Sequence, residues 1–316
     1  MSKQTQLSEA VKGRFAPSPS GRMHLGNIYT ALLSWLSAKS KGGTWLLRIE
    51  DLDPQRSKKE FAELIEDDLH WLGLIPDEGG LSGTVSAGPY SQSLRGEIYN
   101  SYYRQLLASG LCYGCRCRRA DIMATQAPHQ SDGRIVYAGT CRPQETPPFA
   151  TEIPDGLATR LYAKSEDIFF NDGICGPQCV NPAEFCGDFI IRRADGAWAY
   201  QLAVVVDDAL MGVTEVVRGD DLLLSTAQQI YLQHLLGFPT PEYYHLPLVR
   251  NSAGIRLSKR DSAMSMEYLR EHHTPEEVIG MAAARAGLVA DGRALSAGDL
   301  LAEMENKSAS KLVLNV

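Results

Sequence analysis

The chain of 316 residues lacks any long apolar run. A helix that spans a membrane needs about 20 consecutive apolar residues, and no stretch of the sequence approaches that length. The first ten residues are polar and contain no apolar core of a secretory signal. We therefore expect a protein of the cytoplasm that does not associate with membranes.

The sequence also lacks an excess of basic residues and an even set of cysteines. Its net charge of −7 argues against a general nucleic-acid coat, although a local basic stripe could still bind tRNA. Seven cysteines without a signal argue against a disulfide framework. They fall into two groups along the chain, which favours metal binding or structural thiols.

Apolar periodicity indicates the regular elements of the first third of the chain. It predicts a strand at 13–16, an amphipathic helix at 28–40, a buried strand at 44–49 and a second helix at 57–72. Ser57 and Glu60 have the spacing of a capping box for this second helix. Strands that alternate with helices predict a parallel α/β architecture.

Further along the chain this alternation is interrupted. Cysteine, glycine and proline between about Leu111 and Pro148 indicate an insertion. A turn at 194–196 predicts a hairpin of strands 188–191 and 198–202. Strands at 204–206 and 213–217 and a helix at 222–236 are expected to follow.

The segment from Arg14 to Asn27 predicts a strand, a stiff proline-containing turn and a helix N-terminus. The free N–H groups of a helix N-terminus suit phosphate. His24 could donate to an α-phosphate oxygen, and Gly26 would let an adenine base lie against the backbone. A lone His-x-Gly is also compatible with a core histidine beside a packing glycine.

A second motif shifts this balance. Leu257, Ser258 and Lys259 follow Gly254, and a lysine on a glycine-flanked loop could neutralise a leaving pyrophosphate. The alternative for such a loop is plain surface charge. The occurrence of both motifs in this order favours a nucleotide site.

The two motifs resemble the His-Ile-Gly-His and Lys-Met-Ser-Lys-Ser signatures of class I aminoacyl-tRNA synthetases. The flanking segments 14–21, 47–53 and 217–221 resemble the glutamate-specific branch. Asn27 replaces the last histidine of the first signature, and Arg256 and Leu257 replace Lys-Met in the second. The resemblance implies a Rossmann-type α/β catalytic domain with a parallel sheet, split by an inserted zinc-containing subdomain. The expected segments are 1–110 and 188–260 for the catalytic domain, 111–187 for the insertion and 261–316 for a short helical tail.

The resemblance also implies the site residues. Those expected to bind L-glutamate are Arg14, Phe15, Ala16, Pro17, Ser18, Glu50, Tyr200 and Arg218. Those expected to bind ATP with Mg²⁺ are His24, Gly26, Asn27, Ser258 and Lys259, and the reaction is assigned to His24, Gly26 and Lys259. Glutamate has two carboxylates and one ammonium, so two arginines and one carboxylate form a matching set. Alternatively, Arg218 could pair with Asp220 or Asp221, and Tyr200 could be a core aromatic of the hairpin.

The expected acceptor follows from the length of the chain, because only 56 residues follow Arg260. That is too few for a further anticodon-binding domain, and the catalytic half alone resembles the glutamyl-Q tRNA(Asp) synthetases. This resemblance implies activation of glutamate without tRNA, then transfer to queuosine in the anticodon stem-loop of tRNA(Asp). The rivals are a compact glutamyl-tRNA synthetase that charges the 3′ end of tRNA(Glu), and a non-catalytic tRNA-binding paralogue. We expect a monomer.

The same resemblance implies one structural zinc ion held by Cys115, Cys117, Tyr137 and Cys141. From the residues alone, Cys112 could pair with Cys115, and His129 could replace Tyr137. A second group, Cys175, Cys179 and Cys186, has no assignment, and free structural thiols are favoured over a second metal.

Overall fold

The computed structural model describes residues 10–81, 83, 87–118, 120–122, 136–145, 147–149, 152–249, 264–290 and 292–307. The first elements are β1 (Lys12–Phe15), α1 (Leu25–Lys39), β2 (Thr44–Leu47), α2 (Lys59–Trp71) and β3 (Glu78–Gly79). The three strands pair in parallel in the order β1-β2-β3. The predicted parallel α/β architecture is therefore confirmed.

The predicted capping box of α2 is wrong. The helix has Lys58 as its N-cap and no side-chain cap, and Ser57 lies outside it. Ser57 N donates to Asp53 O at 2.8 Å, and Lys58 N donates to Pro19 O at 2.9 Å. These loop contacts hold the two residues in extended or turn conformations, so the helix begins only at Lys59.

The middle of the chain contributes to two sheets. Its elements are α3 (Gly96–Ala108), β4 (Cys112–Cys115), β5 (Ala158–Leu161), β6 (Ile168–Asp172), β7 (Gly176–Val180), α4 (Pro182–Phe185) and β8 (Phe189–Arg192). The antiparallel sheet has the order β4-β5-β8. β6 and β7 instead join strands from the later part of the chain. The segment boundaries at 110, 187 and 260 stay a prediction.

The remaining elements complete the core. They are α5 (Tyr200–Leu210), β9 (Glu215–Gly219), α6 (Thr226–Leu236), β10 (Glu242–Leu246), α7 (Met266–His272), α8 (Pro275–Arg285) and α9 (Ala297–Lys307). The order β7-β6-β10-β9 has parallel pairs at β6–β10 and β10–β9. Thr214, directly before β9, donates from its main-chain N to Lys12 O at 3.0 Å. This contact places β9 beside β1.

The predicted strands at 198–202 and 204–206 are wrong, because α5 covers Tyr200–Leu210. Its residues from Leu202 to Asp208 are all buried. A helix that is buried on every side shows no amphipathic period, and its three consecutive valines have high β propensity. Only a bridge between Arg192 and Trp198 remains of the predicted hairpin.

The helical tail packs on α1. Residues of α7, α8 and α9 such as Leu269, Val278, Ile279 and Leu300 share one core with Leu32. Thr274 and Glu277 form a capping box that starts α8. No helix of the described residues combines the length and apolar character that crossing a membrane requires.

Candidate active site and metal centre

Charged residues collect where neighbouring parallel strands end. Arg14 lies in β1, Glu50 follows β2, and Arg218 lies in β9. The relative exposures of the three residues are 4%, 9% and 5%. Ligands of open α/β sheets bind at the carboxyl ends of the strands, so this buried charge lies in the place expected for a substrate.

Glu50 belongs to a buried network of ion pairs. Arg48 Nη2 lies 3.2 Å from Glu50 Oε1, and Arg48 Nη1 lies 2.7 Å from Asp208 Oδ1. Arg14 Nε lies 3.5 Å from the same Asp208 oxygen. Burial raises the pKa of Glu50 above its ordinary value of 4.5, against the opposing effect of Arg48 and Arg14. Glu50 is thus held by Arg48 through one carboxylate oxygen.

Tyr200 stands among these charges. It is the first residue of α5, with Ala199 as the N-cap, and not a hairpin aromatic. Burial raises the pKa of Tyr200, the Glu50 carboxylate raises it further, and Arg218 and Arg14 oppose both effects. Two cations and one anion of the predicted glutamate pocket therefore act electrostatically on the phenol.

Arg218 is held by neutral acceptors. Nε donates to His245 Nε2 at 3.0 Å, Nη1 to Gln229 Oε1 at 2.9 Å and Nη2 to Thr226 Oγ1 at 2.7 Å. The alternative in which Asp220 or Asp221 binds Arg218 is therefore wrong. A guanidinium has five N–H groups, so within the described chain two remain for a ligand. Its charge suits a carboxylate.

A cavity of about 410 Å³ opens beside Glu50 and Tyr200. Its other lining residues include Ser18, Arg193 and Trp198. The proline-containing turn that leads to Ser18 is fixed by its main chain, since Glu50 N donates to Pro17 O at 3.0 Å.

None of the other residues of the predicted glutamate pocket lines this cavity; these are Arg14, Phe15, Ala16, Pro17 and Arg218. The ring of Phe15 is buried and stacks on Trp45 at 6.1 Å between centroids. Phe15 O accepts from Arg48 N at 3.0 Å. Ala16 is half-buried between Phe15 and Pro17. Phe15 therefore supports the pocket from the core.

A second cavity of about 120 Å³ is lined by His24, Gly26 and Asn27 together with Gly219 and Leu246 at the ends of β9 and β10. His24 is the N-cap of α1: its Nδ1 accepts from Gly26 N at 3.1 Å, and its main-chain N donates to Asn27 Oδ1 at 3.0 Å. In the neutral ring the proton therefore resides on Nε2, which is a donor.

Gly26 has a steric reason to be glycine. A Cβ there would lie 2.9 Å from Cε1 and 3.1 Å from Nδ1 of His24. The sequence-based reason, an adenine base against the backbone, stays a prediction. Ser258 and Lys259 lie outside the described residues, so their position relative to His24 also stays a prediction.

Three cysteines converge at the end of β4. The Sγ atoms of Cys115, Cys117 and Cys141 lie within 4.8 Å of one another. Thiolates on one tetrahedral zinc lie about 3.8 Å apart for Zn–S bonds of about 2.3 Å, so the spacing fits. Tyr137 Oη lies 3.5 Å from Cys115 Sγ and accepts from Cys141 N at 2.7 Å. All four predicted ligands are thus brought together.

The groups of this cluster differ in how readily they ionise. Burial opposes ionisation of Cys141, yet hydrogen bonds from Arg116 N and Cys117 lower the pKa of its thiol to about 7. Burial raises the pKa of Tyr137, and the Arg160 guanidinium lies 3.6 Å from the centre of its ring. Cys141 is therefore the readiest thiolate, whereas a Tyr137 phenolate must form against its environment.

The alternative ligand Cys112 is excluded by strand geometry. Residues three apart in a strand point to opposite faces, and Cys112 is buried in the core that includes Leu161 and Tyr231. His129 lies outside the described residues. Cys175 and Cys179 are exposed, and Cys186 Sγ lies 3.2 Å from Pro182 O. Within the described chain this second group does not converge, in agreement with free thiols.

Comparison with known proteins shows the family of the chain. The family of class I tRNA synthetases (E and Q), catalytic domain, matches residues 10–312. The glutamyl-Q tRNA(Asp) synthetase of Symbiobacterium thermophilum is 49% identical over 283 residues, which cover 88% of this chain and 87% of that protein. The protein of the same name from Nitratidesulfovibrio vulgaris is 43% identical over 285 residues, which cover 89% and 88%. The chain belongs to the glutamyl-Q tRNA(Asp) synthetase family.

This family membership makes the chain a class I ligase, and a solved structure agrees with its fold. The crystal structure of a glutamate tRNA ligase from Elizabethkingia meningosepticum in complex with its amino acid has a TM-score of 0.77 and 31% identity. The match covers 93% of this chain and 64% of that one, so the chain spans just under two thirds of the longer ligase.

Sequence reasoning missed several residues that support the site. Four of them are buried: Arg48 contacts Glu50 and His245 contacts Arg218, while Asp208 contacts Arg48 and Asp172 contacts His245. One signal was present, because Asp207 and Asp208 interrupt an apolar run, and buried carboxylates need partners. Nothing in the sequence marks His245 or Asp172 in this way.

Proposed function

We propose that the chain activates L-glutamate with ATP to form glutamyl-adenylate and pyrophosphate. An oxygen of the α-carboxylate attacks the α-phosphorus, and the bond to the oxygen that bridges the α- and β-phosphates breaks. The observation that carries this proposal is the buried set of Arg14, Arg218 and Glu50 around Tyr200. The two arginines match the two carboxylates of glutamate, and Glu50 matches its ammonium.

The nucleotide is assigned to the cavity beside His24. Its Nε2–H can donate to the α-phosphate as negative charge grows there, and Lys259 is assigned to the leaving pyrophosphate with Mg²⁺ bound by ATP. Such charge stabilisation, together with positioning, is enough for this chemistry without a general base.

The acceptor is proposed to be the cyclopentenediol of queuosine in the anticodon of tRNA(Asp). A diol hydroxyl attacks the carbonyl carbon of glutamyl-adenylate, the ester forms and AMP leaves. A cis-diol on a five-membered ring resembles the ribose diol that class I enzymes acylate. Two observations support this acceptor: the relatives that match along nearly their whole length carry this name, and the cavity beside Glu50 offers Trp198 and Arg193 to a base and a phosphate.

A structural zinc ion is proposed for Cys115, Cys117, Tyr137 and Cys141. The metal would supply no step of the reaction. It would tie the end of β4 to the segment around Tyr137, whose main-chain N donates to Cys186 O at 2.9 Å.

ATP–pyrophosphate exchange and tRNA charging test the reaction and its acceptor. Exchange should require glutamate, should proceed without tRNA, and should be lost in Lys259→Ala. Charging should occur with tRNA(Asp) that contains queuosine and not with the same tRNA lacking it. Acylation of tRNA(Glu) alone would establish the rival acceptor, and exchange that is absent or independent of glutamate would establish a non-catalytic paralogue.

A further inference from the structure

Arg218 is oriented by a histidine on the neighbouring strand. Arg218 and His245 are register partners in the parallel pair β9–β10, so their side chains leave the sheet on the same face. The Arg218 Nε–H donates to His245 Nε2 at 3.0 Å. Together with the bonds from Nη1 to Gln229 and from Nη2 to Thr226, this bond fixes the rotation of the guanidinium plane, because all three nitrogens lie within that plane.

The proton on the His245 ring can then be assigned. An arginine nitrogen is always a donor, so His245 Nε2 must accept and Nδ1 must carry the hydrogen. That hydrogen is donated to Asp172 Oδ2, with 2.6 Å between the nitrogen and the oxygen. His245 is fully buried, and burial together with Arg218 lowers its pKa against the opposing effect of the Asp172 carboxylate, which favours the neutral ring that this arrangement requires.

Asp172 itself has a fixed orientation. Its Oδ1 accepts from three main-chain N–H groups, those of Ile174 at 3.0 Å, Cys175 at 2.8 Å and His245 at 3.2 Å. Only Oδ2 therefore faces the His245 ring. Asp172 ends β6, whereas Arg218 and His245 lie 46 and 73 residues further along the chain.

We propose that Asp172 and His245 are positioning residues for glutamate, which hold the guanidinium of Arg218 so that its remaining N–H groups face a substrate carboxylate. This inference rests on the proposed binding of glutamate by Arg218. It adds residues whose side chains need not touch the substrate, and it assigns them a chemical requirement: an acceptor at the Nε2 position of residue 245.

Two substitutions of His245 test the roles of the two ring nitrogens separately. His245→Gln can place a carbonyl oxygen near the Nε2 position and so keeps an acceptor for Arg218. His245→Asn can donate to Asp172 from the Nδ1 position but gives Arg218 no acceptor. We expect His245→Asn to raise the KM for glutamate in the exchange assay by at least about tenfold, the cost of one hydrogen bond to a charged group. His245→Gln should stay close to the wild type, and neither should change the KM for ATP.

Asp172→Asn tests the same series of hydrogen bonds at its Asp172 end. The Oδ1 position stays in its three main-chain bonds, so the introduced amide group faces His245 Nδ1 as a donor. The ring proton must then move to Nε2, where it opposes the Nε–H of Arg218. The KM for glutamate should again rise by at least about tenfold. Adding His245→Gln to Asp172→Asn should restore it, because the glutamine acceptor does not depend on residue 172.

A spectroscopic measurement is independent of activity. Long-range ¹H–¹⁵N spectra distinguish the two ring tautomers, and comparison with His245→Gln identifies the signals of His245 among the seven histidines. The wild type should show a proton on Nδ1, and Asp172→Asn should show it on Nε2. A wild-type ring that carries its proton on Nε2, or on both nitrogens, would overturn the inference even if every variant failed to fold.

Control variants separate this inference from the proposed function and from general destabilisation. Glu215→Gln removes a buried carboxylate from the other end of β9, where it contacts Ser37 and Lys41, and should leave the KM for glutamate unchanged. An unchanged KM in Arg218→Lys would overturn the glutamate site, and this inference with it. A raised KM in Arg218→Lys combined with equal KM values for His245→Asn and His245→Gln would overturn the positioning role alone.

Discussion

Arg48 and Asp208 form an ion pair that is almost completely removed from water. Arg48 Nη1 lies 2.7 Å from Asp208 Oδ1, and the side chains are 0% and 6% exposed. Arg48 also contacts Glu50. The pair therefore links α5 to the segment that follows β2, and it supports the carboxylate proposed to bind the substrate ammonium.

Removing one partner of this pair should destabilise the fold strongly, since the other charge stays buried. We expect Asp208→Ala to lower the free energy of unfolding by about 3–5 kcal/mol, measured by urea denaturation followed by circular dichroism. Lys59→Ala breaks the exposed ion pair with Glu63 and should leave the urea midpoint unchanged. Equal midpoints for the two variants would show that the buried pair contributes nothing.

The elements that the sequence predicts correctly are those with a clear local pattern. β1, α1 and β2 could be predicted because their apolar periodicity and turn residues lie within short windows. The run Tyr200–Leu210 could not, because complete burial removed the period that distinguishes a helix from a strand. The family resemblance indicates Tyr200 as a site residue, although the local pattern predicts a strand where the structure has a helix.

In the candidate site, the sequence predicts only the residues that are proposed to contact the substrate. Arg14, Glu50 and Arg218 belong to recognisable motifs; all three are buried, and all three influence the pKa of Tyr200. The bond of Arg48 to Asp208 spans 160 residues of sequence. Such contacts are created by the packing of distant elements, so no local window contains them.

The raised pKa of Glu50 predicts a pH dependence for glutamate activation. Burial raises this pKa above 4.5, and only the ionised carboxylate can pair with the substrate ammonium. As the pH falls through the raised pKa, Glu50 becomes protonated and kcat/KM for glutamate should fall, with an inflection above pH 4.5. The measurement is the exchange rate at low glutamate concentration against pH, with circular dichroism to confirm that the enzyme stays folded.

Glu50→Gln is the control for this inflection. It should raise the KM for glutamate by about ten- to hundredfold and should remove the inflection assigned to Glu50, while any inflection that belongs to another group remains. An identical pH profile in the variant would assign the titration to another group.

Gly26→Ala should impair the nucleotide site without unfolding the protein. The added methyl group would lie 2.9 Å from His24 Cε1, so the imidazole must move away from its position at the N-terminus of α1. A displacement of about 1 Å can cost about a hundredfold in rate, so kcat of exchange should fall by about this factor while the thermal midpoint changes little. Gly298→Ala, where a Cβ would meet only Ser296 Oγ at 3.8 Å, should retain full activity.

Arg193→Glu should separate activation from transfer. Arg193 lines the cavity beside Glu50 and pairs with Asp195 at its exposed rim, 2.6 Å away. Reversal of its charge should weaken binding of a polyanionic tRNA, so the KM for tRNA(Asp) should rise and its salt dependence should become shallower. ATP–pyrophosphate exchange without tRNA should be unchanged. A fall in exchange equal to the fall in charging would place Arg193 in the activation site instead.

The metal centre predicts different results for Cys117 and Cys112. Cys117→Ala removes one of the three converging thiols, so zinc bound per chain, measured by atomic emission after dialysis, should fall well below one. Cys112→Ala creates a cavity in the core and should lower stability, yet it should retain full zinc. Loss of zinc in both variants would mean that the loss reports unfolding and not ligation.

Tyr137→Phe decides whether the fourth ligand is the phenolate. Its pKa is raised by burial, so a bound metal ion is needed to favour the ionised form beside Cys115. If Tyr137 is a zinc ligand, competition with a chelator should show weaker zinc binding in Tyr137→Phe. The near-ultraviolet absorbance of the tyrosinate, expected in the zinc-bound wild type, should be missing from the variant. If its hydroxyl serves only to accept from Cys141 N at 2.7 Å, zinc affinity should be retained while stability falls by about 1 kcal/mol. Three thiolates alone leave the tetrahedral shell of zinc one ligand short, so we expect the first outcome.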